Sequence, residues 1–157
     1  ILHLPFKEDV FDVIFCGGSI EHFEDTLGGI REVVRILAKD GLLIATVPLV
    51  SLSTLIYSQF YGNIPDLPVV RCLALFLHHT VLRGKYMKHG YEKAFTKGRI
   101  CRIFRDARLS DVQAGLYETT YSVKLFGNLF TKKIIRRLAH LRPFWPCIWV
   151  KGEKHIE

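Results

Sequence analysis

An α/β fold on parallel strands is predicted by three features of this chain. "DVIFC" (Asp12 to Cys16) and "LLIATVP" (Leu42 to Pro48) are short apolar runs rich in β-branched and aromatic residues, the composition of strands covered on both faces. Between them Leu27, Ile30, Val33, Val34 and Leu37 recur at helical spacing, so the stretch reads as one right-handed strand-helix-strand crossover. With 157 residues, 49% of them hydrophobic, the chain has material for one globular domain with its own core.

The elements follow in order. "FDVIFC" is a strand expected in the middle of the sheet, emptying into Gly17, Gly18 and Ser19. "EDTLGGIREVVRILAKDG" is a helix, with Asp25 or Thr26 to cap its start and Gly41 to stop the chain after it. "LLIATVP" is the second buried strand. Residues Leu49 to Tyr91 form an apolar, aromatic-rich stretch punctuated by Gly62, Pro65, Pro68, Gly84 and Gly90, read as an inserted segment of short helices (49–91) within a single domain over 1–157. "TKGRICRIFRDARL" is a helix capped by Thr96, with Ile100, Ile103, Phe104 and Ala107 on its apolar side. "VQAGLYETTYSV" alternates as a strand does. "NLFTKKIIRRLAHL" is a basic amphipathic helix, with Phe130, Ile134, Leu138 and Leu141 on one side and Lys132, Lys133, Arg136 and Arg137 elsewhere. "PCIWVKGEK" supplies a last strand. No internal repeat or low-complexity tract is visible.

Composition narrows the function classes. Cys16, Cys72, Cys101 and Cys147 are far apart with no C-x-x-C pair, which suits neither a zinc site nor a disulfide scaffold, so reduced thiols and no metal are expected. The net charge of +7 is compatible with anionic lipid or nucleic acid, and equally with plain solubility. Leu42 to Tyr61 carries no charge and approaches the roughly 20 residues of a bilayer span. Pro48 interrupts it, and Thr46, Ser51, Ser53, Thr54, Ser58 and Gln59 dilute it, so a spanning helix is rejected while peripheral membrane contact stays open. No signal-peptide pattern opens the chain, so a cytoplasmic location is expected. It starts at an apolar residue without Met and reads as a piece of a longer protein.

"LPF" (Leu4 to Phe6), "FDVIFC", "EH" (Glu21, His22), "REVVRIL" (Arg31 to Leu37) and "KDGLLIATVP" (Lys39 to Pro48) fall in a specific order over some forty residues. In that order they resemble the second half of a class I S-adenosylmethionine-dependent methyltransferase of the small-molecule type, similar to methyltransferase type 11. The resemblance is close from Leu4 to Pro48 and looser beyond. "KDGL" stands where "KPGG" is usual, and "ARL" (Ala107 to Leu109) where "AGF" is usual. It implies the C-terminal part of a Rossmann-like doubly wound sheet with a mostly helical insertion and an antiparallel last strand. The glycine-rich cofactor turn and the ribose-binding acid would precede Ile1.

The resemblance also implies where S-adenosyl-L-methionine would lie. Ligands of parallel α/β sheets sit beyond the carboxyl ends of the strands, where Cys16, Gly17, Gly18 and Ser19 fall; the family places this turn against the methionine and ribose. Gly17 is the leading candidate, lacking a Cβ to obstruct the ligand, although a plain turn needing positive φ would also select glycine. Ile1 matches the position that touches the adenine. His22, with Glu21, is read either as orienting the loop or as capping the next helix or pairing with Asp25. Methyl transfer needs a positioned acceptor and, for a hydroxyl, a base; His78, His79 and His89 are candidates, each also readable as an ordinary solvated histidine. Tyr57, Phe60, Tyr61, Phe76, Tyr86 and Tyr91 suggest an apolar, small or lipid-like acceptor, or simply a core beneath a long loop. A non-catalytic scaffold of the same fold is the alternative. Nucleic-acid methylation is disfavoured, because no N/D-P-P-Y/F-like element follows "FDVIFC".

Overall fold

The structure, a computed structural model, describes residues 3–51, 63–81, 83, 92–117 and 147–155. The chain divides into two compact units, Ile1–Val47 with Thr96–Gly115 and Ile148–Glu157, and Pro48–Phe95 with Leu116–Cys147.

The first unit is built on a four-stranded sheet. β1 (Phe11–Gly17), β2 (Leu37–Pro48), β5 (Ser110–Tyr117) and β6 (Cys147–Glu153) lie in the order β1-β2-β6-β5. β1 and β2 are parallel, with Val13 beside Leu42 and Gly17 beside Thr46, as the sequence predicts. The final strand is antiparallel. The Lys154 N–H donates to the Gly41 carbonyl (3.0 Å), and the Ser110 hydroxyl to the Glu153 carbonyl (3.1 Å). The end of β6 therefore lies beside the starts of β2 and β5.

Two helices cover one face of this sheet. α1 (Thr26–Ile36) is capped by Asp25, whose carboxylate accepts the Gly28 N–H at 2.9 Å. It buries Ile30, Val33, Val34 and Ile36. α3 (Lys97–Asp106) is capped by the Thr96 hydroxyl, accepting from the Arg99 N–H at 3.2 Å, and buries Ile100, Cys101, Ile103 and Phe104. Leu43, Ala45 and Val47 of β2 and Ile148 and Val150 of β6 supply the sheet side of this core.

Three expectations are corrected. α1 ends at Ile36 rather than running on to Gly41, and Leu37 opens β2 as a fully buried residue. Helical spacing misleads here because Leu37 points into the same core from the strand. The "AKDG" stretch is a bulge inside β2: Phe11 pairs with Leu37 but Val13 with Leu42, and Asp40 takes a left-handed φ of 56°. β1, expected in the middle of the sheet and covered on both faces, is its edge strand, with Val13 59% and Phe15 67% exposed. Its apolar composition is that of a central strand, but among the described residues only one of its edges is paired.

In the second unit β3 (Asn63–Pro65) pairs in parallel with β4 (Glu92–Ala94), and α2 (Pro68–Phe76) opens with Pro68 in its first turn. A wide π turn, Leu77–Val81, continues α2. Ile64, Ala74, His78, Ala94 and Phe95 are buried, and the Phe95 N–H donates to the Pro48 carbonyl at 2.8 Å. The basic helix over 128–141 and the aromatic positions Tyr57, Phe60, Tyr61, Tyr86 and Tyr91 lie outside the described residues. Leu42 to Pro48 belongs to a strand, and among the described residues no helix is long and apolar enough to cross a membrane.

Candidate functional site

The site is assembled where β1 ends. The Gly18 N–H donates to the Thr46 carbonyl at 3.2 Å, so the carboxyl ends of β1 and β2 are tied side by side. The chain then tightens into a 3-10 turn, Ile20–His22, in which the Phe23 N–H donates to the Ile20 carbonyl at 3.2 Å. Fully buried Ile20 anchors this turn in the core. Cys16, Gly17, Gly18 and Ser19 are thus held at the carboxyl end of a parallel strand, the place where α/β sheets bind ligands.

The two glycines play different parts. Gly18 has φ of 66°, a left-handed conformation that side chains rarely adopt. At Gly17 the backbone φ is ordinary, but a Cβ would come within 2.7 Å of the Phe15 ring. The positive φ expected of a plain turn therefore belongs to Gly18, while at Gly17 the absence of a Cβ leaves room for the Phe15 ring.

Electrostatics gather around the same turn. A Cβ on Gly18 would sit 3.6 Å from Oε1 of Glu21, whose side chain is buried. The Cys16 thiol titrates above its ordinary value, chiefly because burial disfavours the thiolate; the Ser19 hydrogen bond opposes this and the Glu21 charge adds to it. Cys16 is accordingly a neutral thiol rather than a nucleophile. His22 is exposed, so the structure separates the "EH" pair into an inward acid and an outward imidazole. Glu21 is the residue that sequence reasoning undervalued. The available signal was its place directly after the anchoring Ile20.

The remaining candidates divide. Ile1 and His89 lie outside the described residues. His78 is fully buried within the second unit, and burial with the neighbouring His79 pushes its pKa down; His79 itself is exposed. Among the described residues, one group of metal-ligating types comes together, Asp111, Glu153 and His155, with atoms within 4.8 Å of one another. It lies on the surface at the opposite end of the strands, where His155 also bonds Asp40 at 3.1 Å.

The "LPF" and "REVVR" motifs meet at α1. Glu32 accepts the Leu4 N–H at 2.8 Å, and Arg35 donates to the Phe6 carbonyl at 2.9 Å and to Glu32 at 2.8 Å. The Arg35 bond and the Leu4 N–H hold the Glu32 carboxyl down, to about 2 from an ordinary 4.5. Motifs some thirty residues apart in sequence are one hydrogen-bonded clasp at the entry to β1.

Comparisons with known proteins bear on the fold. Residues 1–45 match a family model described as a methyltransferase domain. Over 38 residues the chain is 47% identical to YcgJ, an uncharacterized methyltransferase of Bacillus subtilis, covering 24% of this chain and 15% of that protein. Over 63 residues it is 38% identical to an uncharacterized protein of Methanocaldococcus jannaschii, covering 40% of this chain and 27% of that one. The crystal structure of YcgJ superposes with a TM-score of 0.52 at 20% identity, over 99% of this chain and 69% of that one. A phosphoethanolamine N-methyltransferase of Haemonchus contortus, in complex with phosphomonomethylethanolamine and S-adenosylhomocysteine, superposes with a TM-score of 0.54 at 14% identity, over 96% of this chain and 35% of that one. The fold is that of the class I S-adenosylmethionine-dependent methyltransferases. The chain's first 45 residues carry the match to the methyltransferase domain, and the chain corresponds to only part of the length of these relatives.

Proposed function

We propose that this chain is the C-terminal part of an S-adenosylmethionine-dependent methyltransferase acting on a small molecule, with the glycine-rich turn and ribose-binding acid carried by residues before Ile1. The observation that supports this most is the turn at the carboxyl end of β1. Gly17, where a Cβ would meet the Phe15 ring, left-handed Gly18 and inward Glu21 stand together beside the end of β2. When bound, the cofactor supplies an electrophilic methyl group on a cationic sulfonium. The chain's own contribution is positional: Gly17 and Gly18 let the backbone come close to the ligand, Ser19 and Cys16 flank it as neutral groups, and the Glu21 carboxylate makes this end of the sheet favourable for a cation. His22 is assigned to the solvent side of the loop, and Ile1 to the adenine. The acceptor is assigned to the 49–91 segment, and the phosphorylated amine of the Haemonchus relative favours a small acceptor. A cytoplasmic location fits four cysteines of which none is in a disulfide.

Replacing Gly17 by Val in the complete natural protein tests the reading. The Phe15 ring that the new side chain would meet is 67% exposed and has room to swing away, so the thermal midpoint should hold. Calorimetric affinity for S-adenosylmethionine should fall by at least about tenfold, or ~1.4 kcal/mol. Unchanged affinity in a folded Gly17→Val protein would mean that this turn does not hold the cofactor. A second reading, a scaffold of the same fold without chemistry, predicts no cofactor binding by the complete wild-type protein at all.

A further inference from the structure

At the end of the sheet opposite the candidate cofactor turn, Asp40, Asp111, Glu153 and His155 gather in a cluster that the methyl-transfer reading leaves unused. The start of β5 lies beside the end of β6, where the Ser110 hydroxyl donates to the Glu153 carbonyl at 3.1 Å, and this brings Asp111 next to Glu153. His155, two residues further along the extended chain, falls on the same side as Glu153. Lys154, between them, turns the other way, to Asp9 and the carbonyls of Val34 and Leu37, so its ammonium faces away from the cluster. One donor atom from each of Asp111, Glu153 and His155 lies within 4.8 Å of the other two.

The imidazole sets this group apart from an acidic patch. Nδ1 of His155 lies 3.1 Å from Oδ1 of Asp40, and a carboxylate there requires a donor, so Nδ1 carries the ring proton. The Nε2 lone pair is then turned toward Oδ2 of Asp111 at 3.7 Å and Oε2 of Glu153 at 3.8 Å, both too far for a hydrogen bond. A lone pair and two anions converging on one small space repel one another unless a cation lies among them. In acid that cation is a proton, and Asp40 and Asp111 raise the imidazole's pKa accordingly. Above that value a metal ion suits the same space. A first-row ion holds nitrogen and oxygen donors at about 2.0–2.2 Å, which sets neighbouring donors roughly 3.0–3.5 Å apart, a small closing movement for side chains that face solvent. We infer that Asp111, Glu153 and His155 form a site for a borderline first-row divalent cation such as Zn2+, with His155 coordinating through Nε2, Asp40 orienting the ring from behind and water completing the shell. The ion would clip the start of β5 to the end of β6, a structural role that does not depend on the methyl-transfer reading. The cysteine spacing, which argues against a thiolate zinc site, does not bear on one built from imidazole and carboxylate.

Zinc titration of the complete natural protein, stripped with chelator and free of any affinity tag, tests the inference without S-adenosylmethionine. Calorimetry should find a Zn2+ site that Asp111→Asn and Glu153→Gln each weaken by at least about tenfold. Mg2+, which keeps its waters and prefers oxygen, should not fill it. Asparagine tolerates the left-handed φ of 46° at position 111, so the fold should survive that substitution; circular dichroism checks this. Nitrogen NMR of the wild-type protein separates coordination from a merely structural effect of the substitutions: Zn2+ should move the His155 Nε2 resonance while Nδ1 keeps its proton. Below the imidazole's titration, binding should also release a proton, read from the heats in buffers of different ionisation enthalpy. No zinc uptake, uptake unaltered by both substitutions, a site that Mg2+ fills equally well, or an unmoved Nε2 resonance would each overturn the inference.

Discussion

Lys154 shows how much one side chain can organise. Its ammonium donates to the carbonyls of Val34 (2.9 Å) and Leu37 (2.7 Å) and to Asp9 (2.7 Å), so it caps the carboxyl end of α1 from the end of β6. A cation there answers both the unpaired carbonyls and the helix dipole. Lys154→Met should therefore destabilise the first unit by about 1–3 kcal/mol in urea titration, the range of charged hydrogen bonds, with little change in the exposed dimensions of the folded state. One residue on, His155 bonds Asp40 and lies near Asp111 (3.7 Å) and Glu153 (3.8 Å); Asp40, chiefly through its hydrogen bond, and Asp111 raise its pKa above 6.5. A raised folded-state value means that the contribution is full below about 6.5 and is lost as pH rises through the folded-state value. The thermal midpoint should thus decline over that interval more in wild type than in Asp40→Asn; equal slopes would show that the pair does not matter.

At the scale of elements, the clasp between α1 and the chain entering β1 is the clearest coupling. Glu32 and Arg35, one turn apart on the helix, hold the backbone of Leu4 and Phe6, and the Phe6 and Phe11 rings meet edge to face at 5.1 Å. Because the Glu32 carboxyl is held down to about 2 from 4.5, the clasp is intact above the ordinary value and lost as pH falls through about 2. The Leu4 amide proton resonance should consequently titrate with a midpoint near about 2, and Glu32→Gln should abolish that titration. A midpoint at the ordinary carboxylate value would show that the bond to Leu4 is not formed in solution.

For the whole molecule, the decisive feature is the open edge of β1. Among the described residues no strand pairs with its second edge, and such an edge with exposed Val13 and Phe15 is a template for pairing with another chain. The 157-residue chain should therefore self-associate, with a sedimentation coefficient that rises with concentration. Phe15→Lys should shift it toward monomer, since a charge on an edge strand opposes pairing. A concentration-independent monomer in wild type would show that the edge is covered in solution. The same open edge makes weak binding of S-adenosylmethionine by this chain alone the expected calorimetric result, because under the proposed function half of the cofactor's contacts would come from strands beyond it.

What the sequence determined by itself was local in origin. The runs "DVIFC" and "LLIATVP", the spacing of Ile30, Val33 and Val34, and the caps Asp25 and Thr96 are set by side-chain periodicity and nearby hydrogen bonds, and each formed where the residues indicated. The turn at Gly17 and Gly18 was equally legible, because adjacent glycines directly after an apolar strand have few other uses. Tertiary structure decided the rest. Whether Leu37 ends a helix or starts a strand depends on which element faces the core, which periodicity cannot show. The bulge at Asp40, the exposure of β1, the capping of α1 by Lys154 and the opposite fates of Glu21 and His22 all depend on residues brought together from distant parts of the chain or on the absence of a neighbour. Apolar composition records that a surface is meant to be buried, and only the assembled sheet shows which surface still awaits its partner.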